Sequence, residues 1–215
     1  MLTGPSFIPQ NPKQALILFH GYGADGEDLF SLNNFFKKAF PNMAFFTPNA
    51  PDMIFGGGYE WFSLNDYFNQ NELSLEYLSV LSERAKEKIP LIQEYIEQIQ
   101  EKTNLQKKDI FIGGFSQGGL MAAQTLFHEK SSFAGLILMS PVPPAQIPTD
   151  TKKTDVLITR GEEDTVILPE AAKLTAPLFK DYGFQTTQII DPFAPHAISD
   201  MHLKGIIQFI QSHLS

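Results

Sequence analysis

The most constraining stretch of this chain is GGFSQGG, residues 113–119. It contains the pattern G-x-S-x-G around Ser116, with an apolar run at 110–112 before it and a helix-forming run at 120–127 after it. Strand, sharp turn and helix in this order are the context in which a serine becomes a nucleophile at the tip of a strained turn. The flanking glycines let the strand and the helix approach closely. Taken alone, the five residues are equally typical of a glycine-rich βα turn with an incidental serine.

The rest of the chain alternates between strand-like and helix-like patterns. Six short strand-like runs, most of them apolar, predict strands at residues 15–19, 43–47, 109–115, 135–139, 155–159 and 185–190. Helical patterns lie between and after them, at residues 27–40, 74–102, 117–129, 170–182 and 199–212. Pro90 predicts a kink or a break in the second helix. The alternation predicts an α/β fold, with a mostly parallel central sheet covered by helices on both faces, as a single domain over residues 1–215.

Candidate reactive groups follow the predicted strands, which is where functional residues gather in such a sheet. A serine nucleophile needs a general base, and the base needs an orienting carboxylate. In the order Ser, acid, His, the base must come last. His196 follows the sixth strand, whereas His20 precedes Ser116, and His128, His202 and His213 fall in or at the end of predicted helices. His196 is therefore the predicted base, although alone it would read as a solvated loop histidine.

The acid is chosen from three adjacent carboxylates that follow the fifth strand. Glu162, Glu163 and Asp164 could each face the histidine. Asp164 is the predicted acid because the loop should turn there, before the helix that begins near Pro169. The other two residues are then expected to form a solvated acidic rim.

Two backbone N–H groups are expected to stabilise a developing oxyanion. One belongs to Gln117, which follows the serine and opens a helix whose dipole favours negative charge. The other is assigned to Tyr22, in the glycine-containing loop 20–26 after the first strand. His20 is expected to brace this loop. The alternative, a phosphate-binding turn, is disfavoured because the loop matches neither G-x-G-x-x-G nor a G-K-[ST] motif.

An aromatic-rich stretch lies between the second strand and the long helical pattern. It contains Phe55, Trp61, Phe62, Leu64, Tyr67 and Phe68, interrupted by three glycines at 56–58. One interpretation is a loop that folds onto the core. The other is that Trp61, Phe62 and their neighbours wall an apolar acyl site and contact the substrate, with the glycines giving mobility.

Composition narrows the classes of function. The net charge of -8 and the lack of a basic block argue against nucleic acid or an anionic membrane surface as partner. The absence of cysteine excludes disulfides and thiolate chemistry. No H-E-x-x-H motif is present, so a metal hydrolase is disfavoured. No apolar run approaches the roughly 18–20 residues of a membrane span, and the N-terminal residues lack a signal-peptide pattern. A cytoplasmic location without stable membrane insertion is expected.

Together these segments resemble the phospholipase/carboxylesterase family, which includes bacterial carboxylesterases and acyl-protein thioesterases. The matching segments are LFHGYGADG at 18–26, GYEWF at 58–62, GGFSQGG at 113–119, GEED at 161–164 and PH at 195–196. The resemblance implies an α/β-hydrolase fold, hydrolysis of small-molecule carboxylic esters or thioesters, no cofactor and a possible homodimer. By position it assigns the nucleophile to Ser116, the acid to Asp164, the base to His196 and the oxyanion donors to Tyr22 and Gln117.

Two departures from the family pattern accompany this resemblance. Pro169 stands one residue farther from the acid than is usual in the family, and Pro195 stands before the base where the family often has glycine. We expect a carboxylesterase for small to medium acyl chains, but the residues do not fix the acyl length, which depends on the depth of the pocket. They leave open an acyl-protein thioesterase or lysophospholipase for long chains. A binding protein on a hydrolase scaffold is disfavoured by the complete set of reactive groups.

Overall fold

The computed structural model describes residues 1–64, 74–167 and 169–214. The strands of this part of the chain are β1 (Ser6–Phe7), β2 (Gln14–Phe19), β3 (Met43–Phe46), β4 (Asp52–Met53), β5 (Tyr59–Glu60), β6 (Ile110–Phe115), β7 (Gly135–Met139), β8 (Val156–Gly161) and β9 (Thr186–Asp191). The helices are α1 (Gly26–Phe30), α2 (Asn33–Ala39), α3 (Leu75–Lys86), α4 (Ile89–Thr103), α5 (Gln117–Phe127), α6 (Pro169–Asp181) and α7 (Asp200–Gln211), with a short 3-10 turn at Lys107–Asp109.

Within the described residues, seven strands form one sheet in the order β1-β3-β2-β6-β7-β8-β9. All neighbours pair in parallel except β1, which pairs antiparallel with β3. From β2 the chain moves outward to β3 and returns on the other side of β2 to β6. The order of the sheet therefore reverses between β2 and β6, and open α/β sheets bind their ligands in the crevice at this point. The six predicted strands and the α/β class are confirmed.

Burial on both faces explains why the central strands are continuously apolar. In β2, alternate residues point to opposite sides: Ala15, Ile17 and Phe19 join the cluster packed by α3 to α6, and Leu16 and Leu18 join the cluster packed by α1, α2 and α7. Removing these side chains from water supplies the main driving force for folding. Strands β1, β4 and β5 were not predicted from the sequence, since two-residue strands carry too little alternation to detect.

Two predicted helices are each divided in the structure. The helix predicted at 74–102 breaks into α3 and α4. Pro90 lies in the first turn of α4, where a backbone N–H would have no partner within the helix, so the N–H that proline lacks is not missed. The helix predicted at 27–40 is wrong as one helix. After α1 the N–H of Leu32 donates to the carbonyl of Leu29, three residues back, and α2 begins at Asn33. The tighter turn interrupts the α-helical hydrogen bonding.

Helix α5 starts directly beneath the reversal point of the sheet. A Cβ placed on Gly118 would lie 2.0 Å from the carbonyl oxygen of Phe19 and 2.6 Å from that of His20. The first turn of α5 therefore touches the backbone at the end of β2. This contact sets Ser116, at the end of β6, beside the loop that follows β2. Among the described residues, no helix is both long and apolar enough to cross a membrane.

We predict that Gly118→Ala destabilises the protein by about 1–3 kcal/mol or more, because the new methyl group meets main-chain atoms that cannot rotate away. The matched control is Gly205→Ala, also in a helix. There the close atom is Cδ1 of Ile189, the movable end of a side chain. Helix propensity favours alanine by about 1 kcal/mol at both positions. Urea unfolding measures both free energies, and equal values for the two variants would contradict the close-approach argument.

Candidate active site

Ser116 occupies the strained turn that the sequence predicts. Its backbone has φ 55° and ψ -115°, outside the regions that residues other than glycine usually adopt. Such a conformation costs on the order of 1–3 kcal/mol. Three hydrogen bonds stabilise this backbone conformation. The Ser116 N–H donates to the carbonyl of Met139 at 2.9 Å, and the Ser116 carbonyl accepts from the N–H groups of Gly119 and Val142. The end of β7 thus holds the serine at the tip of the turn.

His196 lies on the loop between β9 and α7, with its ring paired to Asp164. The distance from His196 Nδ1 to Asp164 Oδ2 is 2.7 Å. Because an ionised carboxylate only accepts hydrogen bonds, Nδ1 carries a proton, and in the neutral imidazole Nε2 then keeps its lone pair. The ring also packs against Phe115, with ring centroids 4.7 Å apart. Nε2 is therefore the nitrogen available for proton transfer.

Asp164 is the carboxylate that faces the histidine among the three considered. It is buried, whereas Glu163 is exposed and Glu162 is bound to Arg160 at 3.2 Å. Oδ1 of Asp164 accepts the N–H groups of Val166 and Ile167, each at 2.9 Å.

These hydrogen bonds decide the protonation state of Asp164. Burial opposes ionisation, but the hydrogen bonds from His196 and from the Ile167 and Val166 N–H groups outweigh it and hold the pKa of this carboxyl below its ordinary value. With a depressed pKa, the carboxylate stays ionised through the ordinary titration range of an aspartate and is protonated only as the pH falls through its lower folded-state pKa. Asp164 is therefore charged at neutral pH, as an orienting acid must be.

The acid loop and the base loop are in direct contact. The N–H of Glu163 donates to the carbonyl of Ala194 at 3.1 Å, and the N–H of Glu162 donates to that of Asp191 at 2.8 Å. A Cβ on Gly161 would lie 1.9 Å from the Ala194 carbonyl oxygen, so the two backbones meet where a side chain has no room. This contact fixes the spacing of Asp164 and His196.

Ser116 and His196 line the same cavity, whose volume is about 280 Å³. The remaining described wall residues are mostly apolar: Gly21, Tyr22, Ala24, Leu64, Phe115, Val142, Val166 and Ile167. This volume lies just below the range of about 300–1,000 Å³ that is typical of small-molecule sites. The cavity suits a compact apolar group placed against the serine.

The two predicted oxyanion donors belong to segments that meet at Ser116. Gln117 is the first residue of α5, where backbone N–H groups have no partner within the helix. On the other side, a Cβ on Gly21 would lie 3.5 Å from Ser116 Cβ, so the loop after β2 lies directly beside the serine. Tyr22 lines the cavity next to it. The geometry is compatible with both assignments.

Trp61 and Phe62 are placed differently from the acyl-wall expectation. Trp61 is fully buried, Phe62 is 2% exposed, and neither lines the cavity that contains Ser116. Trp61 instead packs edge-on against Phe19 in the core, with ring centroids 5.1 Å apart. The structure favours the core interpretation for Trp61 and Phe62, whereas Leu64 of the same stretch lines the cavity and Phe55 is exposed. Tyr67 and Phe68 lie outside the described residues.

Three of the apolar wall residues were not singled out by sequence reasoning. Val142 follows β7, and Val166 and Ile167 come two and three residues after the acid. Position after a strand was the available signal, but apolar residues in loops carry no reactive group that would attract notice. Among the described residues, no three His, Asp or Glu side chains gather where they could hold a metal ion.

Known proteins are similar to this chain along nearly its whole length. The family model described as phospholipase/carboxylesterase matches residues 8–214. The chain is 29% identical over 210 residues to carboxylesterase SOBER1 of Arabidopsis thaliana, covering 93% of this chain and 90% of that protein. It is 26% identical over 212 residues to acyl-protein thioesterase 1 of Gibberella zeae, again covering 93% and 90%.

The fold also matches solved structures. The crystal structure of esterase PE8 superposes with a TM-score of 0.86 at 27% sequence identity and covers 99% of each chain. The structure of Arabidopsis thaliana SOBER1 superposes with a TM-score of 0.74 at 22% identity, covering 94% of this chain and 99% of that one, which is evidence for the fold.

Proposed function

Because this chain belongs to the phospholipase/carboxylesterase family, we propose that it hydrolyses carboxylic esters of small to medium acyl chains through an acyl-serine intermediate on Ser116. The observation that carries the proposal is the shared cavity. A serine on a strained turn and a histidine held by a buried carboxylate line one apolar space. The shared cavity and the His196–Asp164 hydrogen bond support the roles of nucleophile, base and orienting acid for these three residues.

The reaction follows from the protonation states of these groups. His196 Nε2 takes the proton of the Ser116 hydroxyl as the serine oxygen attacks the ester carbonyl. Asp164 holds the ring in the Nδ1–H tautomer and stabilises the imidazolium that forms. The carbonyl oxygen becomes an oxyanion and accepts the N–H groups of Tyr22 and Gln117.

Collapse of this intermediate restores the carbonyl and breaks the ester bond. The imidazolium gives its proton to the departing alkoxide, which leaves as the alcohol. In the second half, His196 takes a proton from water as the water oxygen attacks the acyl-serine. A second oxyanion collapses, the acid leaves, and Ser116 recovers its proton from the imidazolium.

The acyl preference is inferred from the cavity. Its small volume and apolar wall favour short and medium acyl groups over long ones. Relatives named acyl-protein thioesterase make a thioester or long-chain substrate the alternative. A thioester would follow the same steps, with a thiolate as leaving group.

Location, domain organisation and assembly complete the proposal. We infer that the protein acts as a single-domain enzyme on small-molecule esters, in the cytoplasm and as a possible homodimer. Sedimentation of the purified chain tests the dimer, and fractionation of cells tests the location.

We predict that hydrolysis of p-nitrophenyl esters, assayed from acetate to palmitate, peaks at short or medium chains and that Ser116→Ala lowers kcat by about 10⁶-fold. Ser212→Ala, at the end of α7, is the control and should match the wild type. A maximum at palmitate would move the substrate class to long-chain thioesters or lysophospholipids. Activity that persists in Ser116→Ala would refute the acyl-serine route.

We predict that Asp164→Asn lowers kcat by about 10⁴-fold, because the amide favours the wrong tautomer of His196. The asparagine oxygen can still accept the Val166 and Ile167 N–H groups, so the loop should keep its shape. Glu163→Gln, on the exposed neighbour, is the matched control and should leave kcat within about twofold. Steady-state kinetics at pH 8 distinguishes the two, and similar losses in both would point to a general charge effect.

We predict that Val142→Ala moves the preferred ester to a longer acyl chain, because Val142 lines the cavity and its truncation widens it. The matched control is Val156→Ala, a buried valine at the amino end of β8, which should cost similar stability without changing the preference. The ratio of kcat/KM for octanoate and acetate is the readout. An unchanged ratio in Val142→Ala would place the acyl group elsewhere.

A further inference from the structure

His20 is a fully buried histidine at the end of β2, and both of its ring nitrogens are engaged. Nε2 lies 2.9 Å from the backbone N of Ala50 and accepts its N–H. Nδ1 must therefore carry the ring proton, and it donates to the carbonyl oxygen of Gly21 at 2.7 Å. Burial is the main cause that lowers the pKa of this imidazole, so the ring is neutral. The hydrogen bonds assign one tautomer.

The hydrogen bond to Gly21 acts on the peptide that carries a proposed oxyanion donor. The Gly21 carbonyl and the Tyr22 N–H belong to one planar peptide unit and point in opposite directions. Fixing the oxygen therefore fixes the direction of the hydrogen. The Gly21 oxygen also accepts the N–H of Ala24 at 3.3 Å. Two donors on one carbonyl polarise the peptide and strengthen the hydrogen bond that its N–H can give.

A buried polar network holds His20 and reaches the second oxyanion donor. Trp61 Nε1–H donates to the carbonyl of His20 at 2.9 Å. The side-chain amide of Gln117 accepts the backbone N–H of Trp61 at 2.9 Å and donates to the carbonyl of Phe62 at 2.7 Å. The residues on both sides of the predicted oxyanion site are thus joined through Trp61.

We propose that His20 is a positioning residue for the reaction: its Nδ1–H···O=C bond to Gly21 orients and polarises the Gly21–Tyr22 peptide so that the Tyr22 N–H stabilises the oxyanion. This inference rests on the proposed function. The bond matters most when negative charge develops on the substrate oxygen. Its loss should therefore lower kcat and leave KM nearly unchanged.

Two amide substitutions separate this role from simple bracing. In His20→Asn, the side-chain amide occupies the region of Nδ1 and can donate to Gly21, but it does not reach Ala50. In His20→Gln, the longer side chain places its amide near Nε2, where it can accept from Ala50, and the donor to Gly21 is lost. Each variant removes one of the two ring hydrogen bonds.

We expect His20→Gln to lower kcat on a short p-nitrophenyl ester by about 10- to 100-fold, less than the roughly 10²–10³-fold loss for removing an oxyanion donor altogether. KM should stay within about twofold. His20→Asn should keep kcat within about threefold of the wild type even where urea unfolding shows lower stability. The proposal is supported if kcat follows the presence of the Gly21 hydrogen bond and does not follow the free energy of unfolding.

Other outcomes overturn it. If both variants keep full kcat, or if both lose it equally, the Gly21 hydrogen bond has no special role and His20 only braces the loop. If the wild type shows no Ser116-dependent esterase activity, the proposed function fails as well. That failure is distinct, because it appears in the wild type and Ser116→Ala before any His20 variant is assayed.

A measurement on the wild type keeps the test open if His20→Gln does not fold. A trifluoromethyl ketone forms a hemiketal oxyanion with the nucleophilic serine. If the oxyanion polarises the Gly21–Tyr22 peptide, the hydrogen bond from His20 Nδ1–H to the Gly21 carbonyl becomes stronger. The Nδ1–H proton should then shift downfield in the NMR spectrum on inhibitor binding. A purely bracing histidine would keep its resonance in place, and an unchanged resonance would overturn the proposal.

Discussion

The close contact between the start of α5 and the end of β2 is the constraint on which the site depends. Gly118 lies against the carbonyls of Phe19 and His20 at a distance that admits no side chain. Because of this contact, the turn that carries Ser116 stands beside the loop that carries Tyr22. The proposed nucleophile and the proposed oxyanion loop come from strands that are far apart in sequence, β6 and β2, and the sheet places these strands next to each other. The reversal of strand order at this pair opens the crevice in which they meet.

A second contact of the same kind sets the other half of the site. The backbone of Ala194 lies against Gly161 at the end of β8, and the N–H groups of Glu162 and Glu163 donate to the carbonyls of Asp191 and Ala194. Asp164 can therefore be buried, bonded to two backbone N–H groups and still face His196. The carboxylate costs desolvation energy, which these three hydrogen bonds offset. The polar groups of the site are held by main-chain contacts, which move less than side chains do.

The buried polar network around Trp61 connects these features to the core. Its tryptophan ring, the His20 imidazole and the Gln117 amide are all fully buried and all hydrogen-bonded. Leaving such a buried polar group without a hydrogen bond costs about 1–3 kcal/mol. Arrangements of these side chains that break one of the hydrogen bonds are therefore disfavoured. Trp61 thus serves to position the backbone, while Tyr22, Phe115 and aliphatic residues such as Leu64, Val142 and Ile167 form the cavity wall.

The sequence by itself determined the α/β fold, the six central strands and the order of Ser116, an acidic group at residues 162–164 and His196, because apolar periodicity and glycine-flanked turns are local signals. It also indicated the break at Pro90, since a proline acts on its own backbone. Other features depended on tertiary structure. The choice of Asp164 over Glu162 and Glu163 was decided by which carboxylate is buried against His196. The placement of Trp61 in the core, and the wall formed by Val142 and Ile167, were decided by packing between distant segments, which no local pattern encodes.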